Sequence, residues 1–481
     1  MRELKGFKMF ALVLGHIGVL GLLATLSNYL LIFFAPTPDT GLPLLLPIGV
    51  IGIIQGVSFA FDGLIDTWIA SISDNNKNPK GRRIPLMRLA MLPAAAFCAL
   101  IFFVPLRQQS AINAVWVAVM LLLYCLSRSF YDVNVQAIIP EIIQNPNRRM
   151  KYYSLLAVVR TLFTLLISSV PAMVHSLRDG GMDALYAWRV AISLFPFVGL
   201  ILMAIPTFVI KENEYINPEN YTHTEKVSMI QSITSALKIR DFSIYIVGVL
   251  FYTIASGMYN ASLLYVIELV LGLKQSMMLA VIIVLTFVSF GLYPLIVWLS
   301  KRFLKKNLTL VAISLCALAV LITLFSAPIS NFLGSTPIGE NSFWTKIAGP
   351  EATIGSIITL FIIGFVFAYP MANSNIVAAS LFADFAQYDS IQTGRSRSGM
   401  FMAVQSIANM IPGSLVPALV SLLIYIGSHD QMPTVQGIRA VLIVSLVACI
   451  PSFLFYASFN EKEMRRVNVA AHQKEMVQGR D

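Results

Sequence analysis

Charge is what this sequence has least of. Asp, Glu, Lys and Arg make up 12% of its 481 residues, while 57% are hydrophobic and the mean hydropathy is +0.76. An average soluble domain carries roughly 25% charged residues, so a water-facing surface cannot be built from this composition and a soluble globular protein is excluded. Cysteine is scarce too. Cys98, Cys125, Cys316 and Cys449 all lie inside apolar runs without metal-ligand spacing, and they read as small packing residues. No Walker loop, nucleophile elbow or HExxH helix occurs, so nothing supports ATP-driven pumping or catalysis, and neither an enzyme nor a cofactor is expected. The first apolar run is too long for a cleaved signal peptide and lacks a small-residue cleavage site, so it is expected to stay as a span. The net charge of +10 is spread over short loops and forms no single stripe or arm, which argues against a nucleic-acid partner.

What is present is a series of apolar runs long enough to cross a hydrocarbon layer roughly 30 Å thick. They fall near 9–35, 45–72, 86–106, 111–139, 153–176, 187–210, 242–272, 276–300, 308–329, 352–382, 399–427 and 437–458. Twelve spans would set both termini on one side. Lys and Arg cluster at Arg2/Lys5/Lys8, Lys77/Lys80/Arg82/Arg83, Arg148/Arg149/Lys151, Lys301/Arg302/Lys305/Lys306, Arg395/Arg397 and Lys462/Arg465/Arg466, and are sparse in the alternate loops. By the positive-inside rule, the termini and the basic loops are cytoplasmic. The longest polar connection, 211–241, separates an N-terminal six-helix bundle (1–210) from a C-terminal one (242–458), and 459–481 is a cytoplasmic tail. From Thr224 onward this connection reads as a short amphipathic surface helix. No sequence repetition between the two halves is visible.

Ionisable groups within spans are expensive and usually face a cavity or a partner. Span two carries Asp62 and Asp66 in FAFDGLIDTWIAS, and a spacing of four puts both carboxylates on one helix face. In a low dielectric they cannot both stay ionised unless a cation or a basic side chain lies between them. Such a pair suits reversible binding of Na+ or H+; the alternative is a pair of packing acids satisfied by basic residues. Span four carries Arg128, Ser129, Asp132 and Gln136 in RSFYDVNVQAIIPEI, where 128, 132 and 136 form a polar stripe. Arg128 either neutralises Asp132 locally or reaches the span-two acids. Arg160 in span five has bidentate donors for hydroxyls or a carboxylate, or else forms an interhelical ion pair. His16 in span one is either a proton relay or a hydrogen-bonded packing residue. Tyr252, Tyr259, Asn260, Tyr369, Asn373 and Asn375 fit a lining for a hydroxyl-rich solute, and serve equally as interhelical glue.

Three stretches bear on the solute: DGLIDTWIASISDNNKNPKGRRIP (62–85), YDVNVQAIIPEI (131–142) and ADFAQYDSIQTGRSRSGMF (383–401). In their order and spacing they resemble the glycoside–pentoside–hexuronide:cation symporter family, the melibiose-permease-like branch of the major facilitator superfamily. The resemblance implies an all-α membrane protein with twelve transmembrane helices in two six-helix bundles, both termini cytoplasmic. By position, Asp62 and Asp66 match the family's cation-site carboxylates and Ser129 a hydroxyl cation ligand. Asp132 matches a sugar-binding acid, and Arg160 the span-five arginine. The GRR loop with Asp74, Arg82 and Arg83, and the 383–398 loop with Asp384, Asp389, Arg395 and Arg397, are expected gate contacts. The departures are Ile17 for the span-one acid, His16 for the lysine beside it, Gln136 for a stacking tryptophan and Met410 near a span-eleven lysine. Ile65 replaces a neutral Na+ ligand. Recognition has therefore changed, and a melibiose-type galactoside is not expected.

The function expected is secondary active import of a sugar or glycoside, a hexuronide among the candidates, by symport with H+ or Na+. The only metal foreseen is Na+ at Asp62 and Asp66. The expected partners are a small-molecule solute, the coupling cation and the lipid bilayer, for a monomer in a bacterial inner (plasma) membrane. The alternatives are a facilitator or exporter of amphiphilic solutes and a non-transporting receptor or scaffold.

Overall fold

The computed structural model describes residues 4, 6–47, 49–74, 76, 78, 81–143, 146–215, 237–338, 343–393, 398–428 and 432–467. The expected surface helix from Thr224 lies largely outside them. Among the described residues the regular structure is helical, apart from one bridge between Pro337 and Thr353. Among the described residues nine helical runs are long and apolar enough to cross a membrane, and Val50–Gly63, Ile84–Leu100 and Ala408–Leu423 are shorter apolar helices. The chain divides into two compact units, residues 1–224 with 417–434, and residues 225–416 with 435–481.

The first unit contains α1 (Gly6–Phe34), α2 (Val50–Asp74), α3 (Ile84–Leu100), α4 (Ala111–Ile142), α5 (Pro146–Ile167), α6 (Val170–Asp179) and α7 (Ala184–Val209). α1 is apolar along most of its length, and much of it is buried within the first unit. It packs on α5 and α7. Glycines let the backbones approach: a Cβ on Gly18 would lie 2.7 Å from the Gly199 carbonyl oxygen, and one on Gly15 would lie 2.3 Å from Pro206 Cγ.

The fifth expected span is not one straight helix. It breaks at Ser168–Ser169, because Pro171 has no N–H to return to the carbonyl four residues back. That carbonyl, Ile167 O, instead accepts from Tyr29 Oη of α1 at 2.7 Å. Arg189 in α7 is buried and donates to Phe102 O and Val104 O, which satisfies carbonyls just past the end of α3.

The second unit contains α8 (Arg240–Tyr265), α9 (Met277–Arg302), α10 (Lys305–Leu324), α11 (Ser326–Gly334), α12 (Phe343–Ala348), α13 (Ile354–Asn373), α14 (Ala379–Thr393), α15 (Ser398–Leu423, whose end from Pro417 belongs to the first unit) and α16 (Val435–Ser458). α8 continues into a π-helical turn at Val266–Val270, and another at Ser374–Ala378 joins α13 to α14. Serines tie α16 to α8: Ser445 Oγ donates to Ala255 O and Ser452 Oγ to Gly248 O. Such hydroxyl contacts substitute, inside a membrane, for the hydrophobic drive that lipid cannot supply.

Each unit repeats one device that the sequence did not reveal. Just after α7, the buried Glu212 accepts the backbone N–H groups of Arg82, Arg83 and Ile84, each at 3.0 Å, at the start of α3. Just after α16, the buried Glu461 accepts those of Lys305 and Lys306 at 2.8 and 2.7 Å, at the start of α10. A carboxylate there satisfies orphan donors and complements the positive helix end. Gly81, at φ +114°, leaves room for this, since a Cβ would lie 2.4 Å from Glu212 Oε2.

Candidate solute and cation site

The polar residues of spans one, two, four and five converge within the first unit. On α4, Arg128 and Asp132 are one helical turn apart and share a face, and Arg128 Nη1 donates to Asp132 Oδ2 at 2.9 Å. Its Nη2 donates to Asp62 Oδ2 on α2, so one guanidinium, 5% exposed, bridges two carboxylates on two helices. The other oxygen of Asp62 accepts from Ser129 Oγ at 2.8 Å. The guanidinium fork presents a separate nitrogen to each acid, whereas a lysine ammonium would serve both from a single point.

Asp66 lies one turn along α2 from Asp62, within reach of the Ser129 hydroxyl. Its Oδ1 is buried and accepts no hydrogen bond from the described residues, and Asp132 Oδ1 is in the same condition. His16, buried on α1, shares a 3.0 Å hydrogen bond between Nδ1 and Tyr152 Oη of α5. Its Nε2 stands 3.9 Å from Asp132 Oδ1, which is too far for a hydrogen bond and near enough for a hydroxyl to engage both. Arg160 of α5 is exposed, and its charge acts on His16. Gln136, the last member of the α4 stripe, is exposed.

Three carboxylates thus face one buried guanidinium. Burial of an ion pair is costly unless further hydrogen bonds satisfy its oxygens, and Asp62 meets that condition with two donors. Asp66 and Asp132 each keep an oxygen free. At the Asp62–Asp66 pair, where Na+ was expected, Asp62 is engaged by the Arg128 guanidinium. Ile65, between the two acids in sequence, is buried and its side chain offers no oxygen. Among the described residues no group of three or more His, Cys, Asp or Glu is arranged to hold a metal ion.

Of the expected gate residues, the Arg83 guanidinium donates to Ser73 Oγ at 3.2 Å, and Ser73 in turn donates to Asn134 Oδ1. The Arg82 backbone is held by Glu212. Asp384 pairs with Lys305 Nζ, which also donates to Ser380 Oγ at 2.6 Å, and Asp389 is buried. Arg395, Arg397 and the side chain of Asp74 lie outside the described residues. Tyr152, Lys305, Glu212 and Glu461 were missed from sequence. The two glutamates carried a signal, an acidic cluster immediately after the last span of each half (KENE at 211–214, NEKE at 460–463).

Solved structures of similar fold include several membrane transporters. The chain superposes on the nucleoside transporter NupG with a TM-score of 0.61 at 12% identity, covering 94% of this chain and 98% of that one. It superposes on the D-xylose-proton symporter with a TM-score of 0.60 at 14% identity, covering 94% and 97%. The isoprimeverose transporter of Lactiplantibacillus pentosus is 22% identical over 423 residues, 86% of this chain and 79% of that protein. The model of the MFS/sugar transport protein family matches residues 11–459, and the chain belongs to that family. It is therefore a multi-pass membrane transporter of the major facilitator fold, not an enzyme.

Proposed function

We propose that the protein imports a sugar or glycoside by symport with H+, with Asp66 carrying the coupled proton. The observation that carries this reading is the double engagement of Arg128 with Asp62 and Asp132. A fixed guanidinium in that place competes with Na+, and Na+ needs several oxygen ligands where this chain has lost one at Ile65. A carboxyl oxygen with no donor to accept from is a place where a proton resides, and an intramembrane acid of this kind suits a proton relay. Asp132 Oδ1 and His16 Nε2 are the groups to meet a solute hydroxyl, the first as acceptor and the second as donor when Tyr152 donates to Nδ1. Solute and proton then favour each other through a shared conformational equilibrium.

Isoprimeverose, the solute named for the curated relative, is the leading test compound. A hexuronide is the second reading, favoured by the exposed Arg160 of α5, whose guanidinium can pair with a carboxylate. The test is uptake into proteoliposomes of isoprimeverose, D-xylose, melibiose and a glucuronide under an imposed pH gradient without Na+, and under a Na+ gradient at constant pH. Accumulation driven by the pH gradient and collapsed by a proton ionophore is expected. Uptake that follows a Na+ jump at constant pH and ignores the ionophore would refute proton coupling.

A further inference from the structure

The second unit carries a polar feature that the carboxylate site does not use. Within the apolar run Ile354–Asp389, the backbone leaves α-helical geometry at the π-helical turn Ser374–Ala378. Asn375 sits on that turn, exposed, and its Nδ2 donates to Tyr293 Oη of α9 at 3.3 Å. α9 carries a proline at the same place. Pro294 follows Tyr293 and leaves the carbonyl of Phe290 without its helical N–H. Phe290 itself is 39% exposed and packs edge-on to the Tyr293 ring at 5.7 Å.

The turn is held from behind. Ser374 Oγ donates to Pro370 O at 2.9 Å and lies 3.1 Å from Tyr252 Oη, whose hydroxyl can donate to it, and Asn373, buried, donates to Thr309 Oγ1 at 3.4 Å. The irregularity is therefore a built feature that aims Asn375 outward.

Irregular backbone at membrane depth is tolerated only where it is buried in protein or lines a water-filled cavity, and an exposed amide within a span obeys the same rule. π-bulges are found frequently at functional sites. Asn375 spends one N–H on Tyr293 and keeps a second N–H and a carbonyl oxygen for adjacent solute hydroxyls. The Phe290–Tyr293 pair adds an apolar face of the kind on which a sugar ring rests. All of these groups are uncharged, so they suit neutral hydroxyls and give a carboxylate no partner.

We propose that Asn375 and Tyr293 form a carbohydrate-contact site on the second unit, taking an uncharged sugar ring. The proposal rests on the reading of the solute as a sugar. The site is independent of the proton-carrying acid, and its loss weakens solute binding without uncoupling transport.

The test is the full chain in proteoliposomes, as wild type, Asn375→Ala and Tyr293→Phe, with KM and kcat measured for isoprimeverose, D-xylose and melibiose under a fixed pH gradient. Thermal unfolding of each variant accompanies the kinetics. N375A is expected to raise KM of the transported sugar about tenfold and Y293F about threefold, with kcat and the accumulation per unit of pH gradient unchanged. KM within twofold of wild type in Y293F, and in N375A where its unfolding profile is intact, overturns the proposal while sugar transport stands. Wild-type protein that transports none of the three sugars overturns the underlying reading and this proposal with it.

Discussion

Replacing Arg128 with glutamine tests the electrostatic core of the site. The guanidinium is buried and serves Asp62 and Asp132 at once. Breaking a single buried ion pair by removing one partner costs about 3–5 kcal/mol, because an uncompensated charge is left behind. R128Q breaks two pairs, so a loss at the upper end of that range is expected, a large share of the roughly 5–15 kcal/mol that holds a typical native state. The substitution also vacates a place lined by Asp62, Asp66 and Ser129. A Na+ ion entering there at 100 times its Kd would return about 2.7 kcal/mol by mass action. The assay is thermal unfolding of the purified chain in detergent, with NaCl exchanged for choline chloride at equal ionic strength. Wild type is expected to ignore the exchange, and R128Q to unfold well below wild type in choline and to recover part of the difference in Na+. Equal stability of R128Q and wild type, or an identical Na+ response in both, would refute the reasoning.

Three further outcomes follow from the same geometry. In Asp66→Asn proteoliposomes, a pH gradient of two units, about 2.7 kcal/mol, should no longer concentrate solute; wild type with one proton per solute can approach a ratio of about 100, and D66N should stop near 1 while still exchanging solute. Glu461 is held above the ordinary carboxyl range by burial, with the Lys306 and Lys305 amides and the Lys305 charge opposing, and the Asp384 charge acting with burial. Its folded carboxyl binds a proton more tightly than the unfolded one. That contribution to stability is therefore full at low pH and fades as pH rises from 4.5 through the raised value. Glu461→Gln should flatten the dependence, as read by unfolding temperature against pH. Gly18→Val should destabilise the α1–α7 crossing, because even a Cβ falls 2.7 Å from the Gly199 carbonyl oxygen and backbone cannot step aside as a side chain can. Its check is a lower unfolding temperature than that of Gly181→Val, a site with open space around it but with backbone strain at positive φ.

How much of this was legible beforehand depends on the kind of signal. The helical membrane fold was readable because apolar run length is a one-dimensional property. Asp62, Asp66, Arg128 and Asp132 were readable for the same reason: charge inside an apolar run stands out, and a spacing of four fixes the face. Which acid Arg128 serves was left open, because the choice depends on the distance between α2 and α4. The fork answers both alternatives at once. Tyr152 was invisible, since a tyrosine near a span end has no pattern that announces a histidine partner 136 positions earlier. The break at Ser168–Ser169 was readable from Pro171 in principle, but that Tyr29 would satisfy the released carbonyl was not. Glu212 and Glu461 read as ordinary loop acids until the starts of α3 and α10 were set against them. The π-helical turn at Ser374–Ala378 has no sequence signature comparable to a proline.

The central claim is that the solute moves with a proton, and pH recording tests it most directly. In Na+-free, weakly buffered medium around proteoliposomes, added isoprimeverose should make the medium more alkaline as solute enters, and the signal should vanish in D66N. Solute entry with no pH change, accompanied by uptake of labelled Na+ when Na+ is supplied, would contradict it.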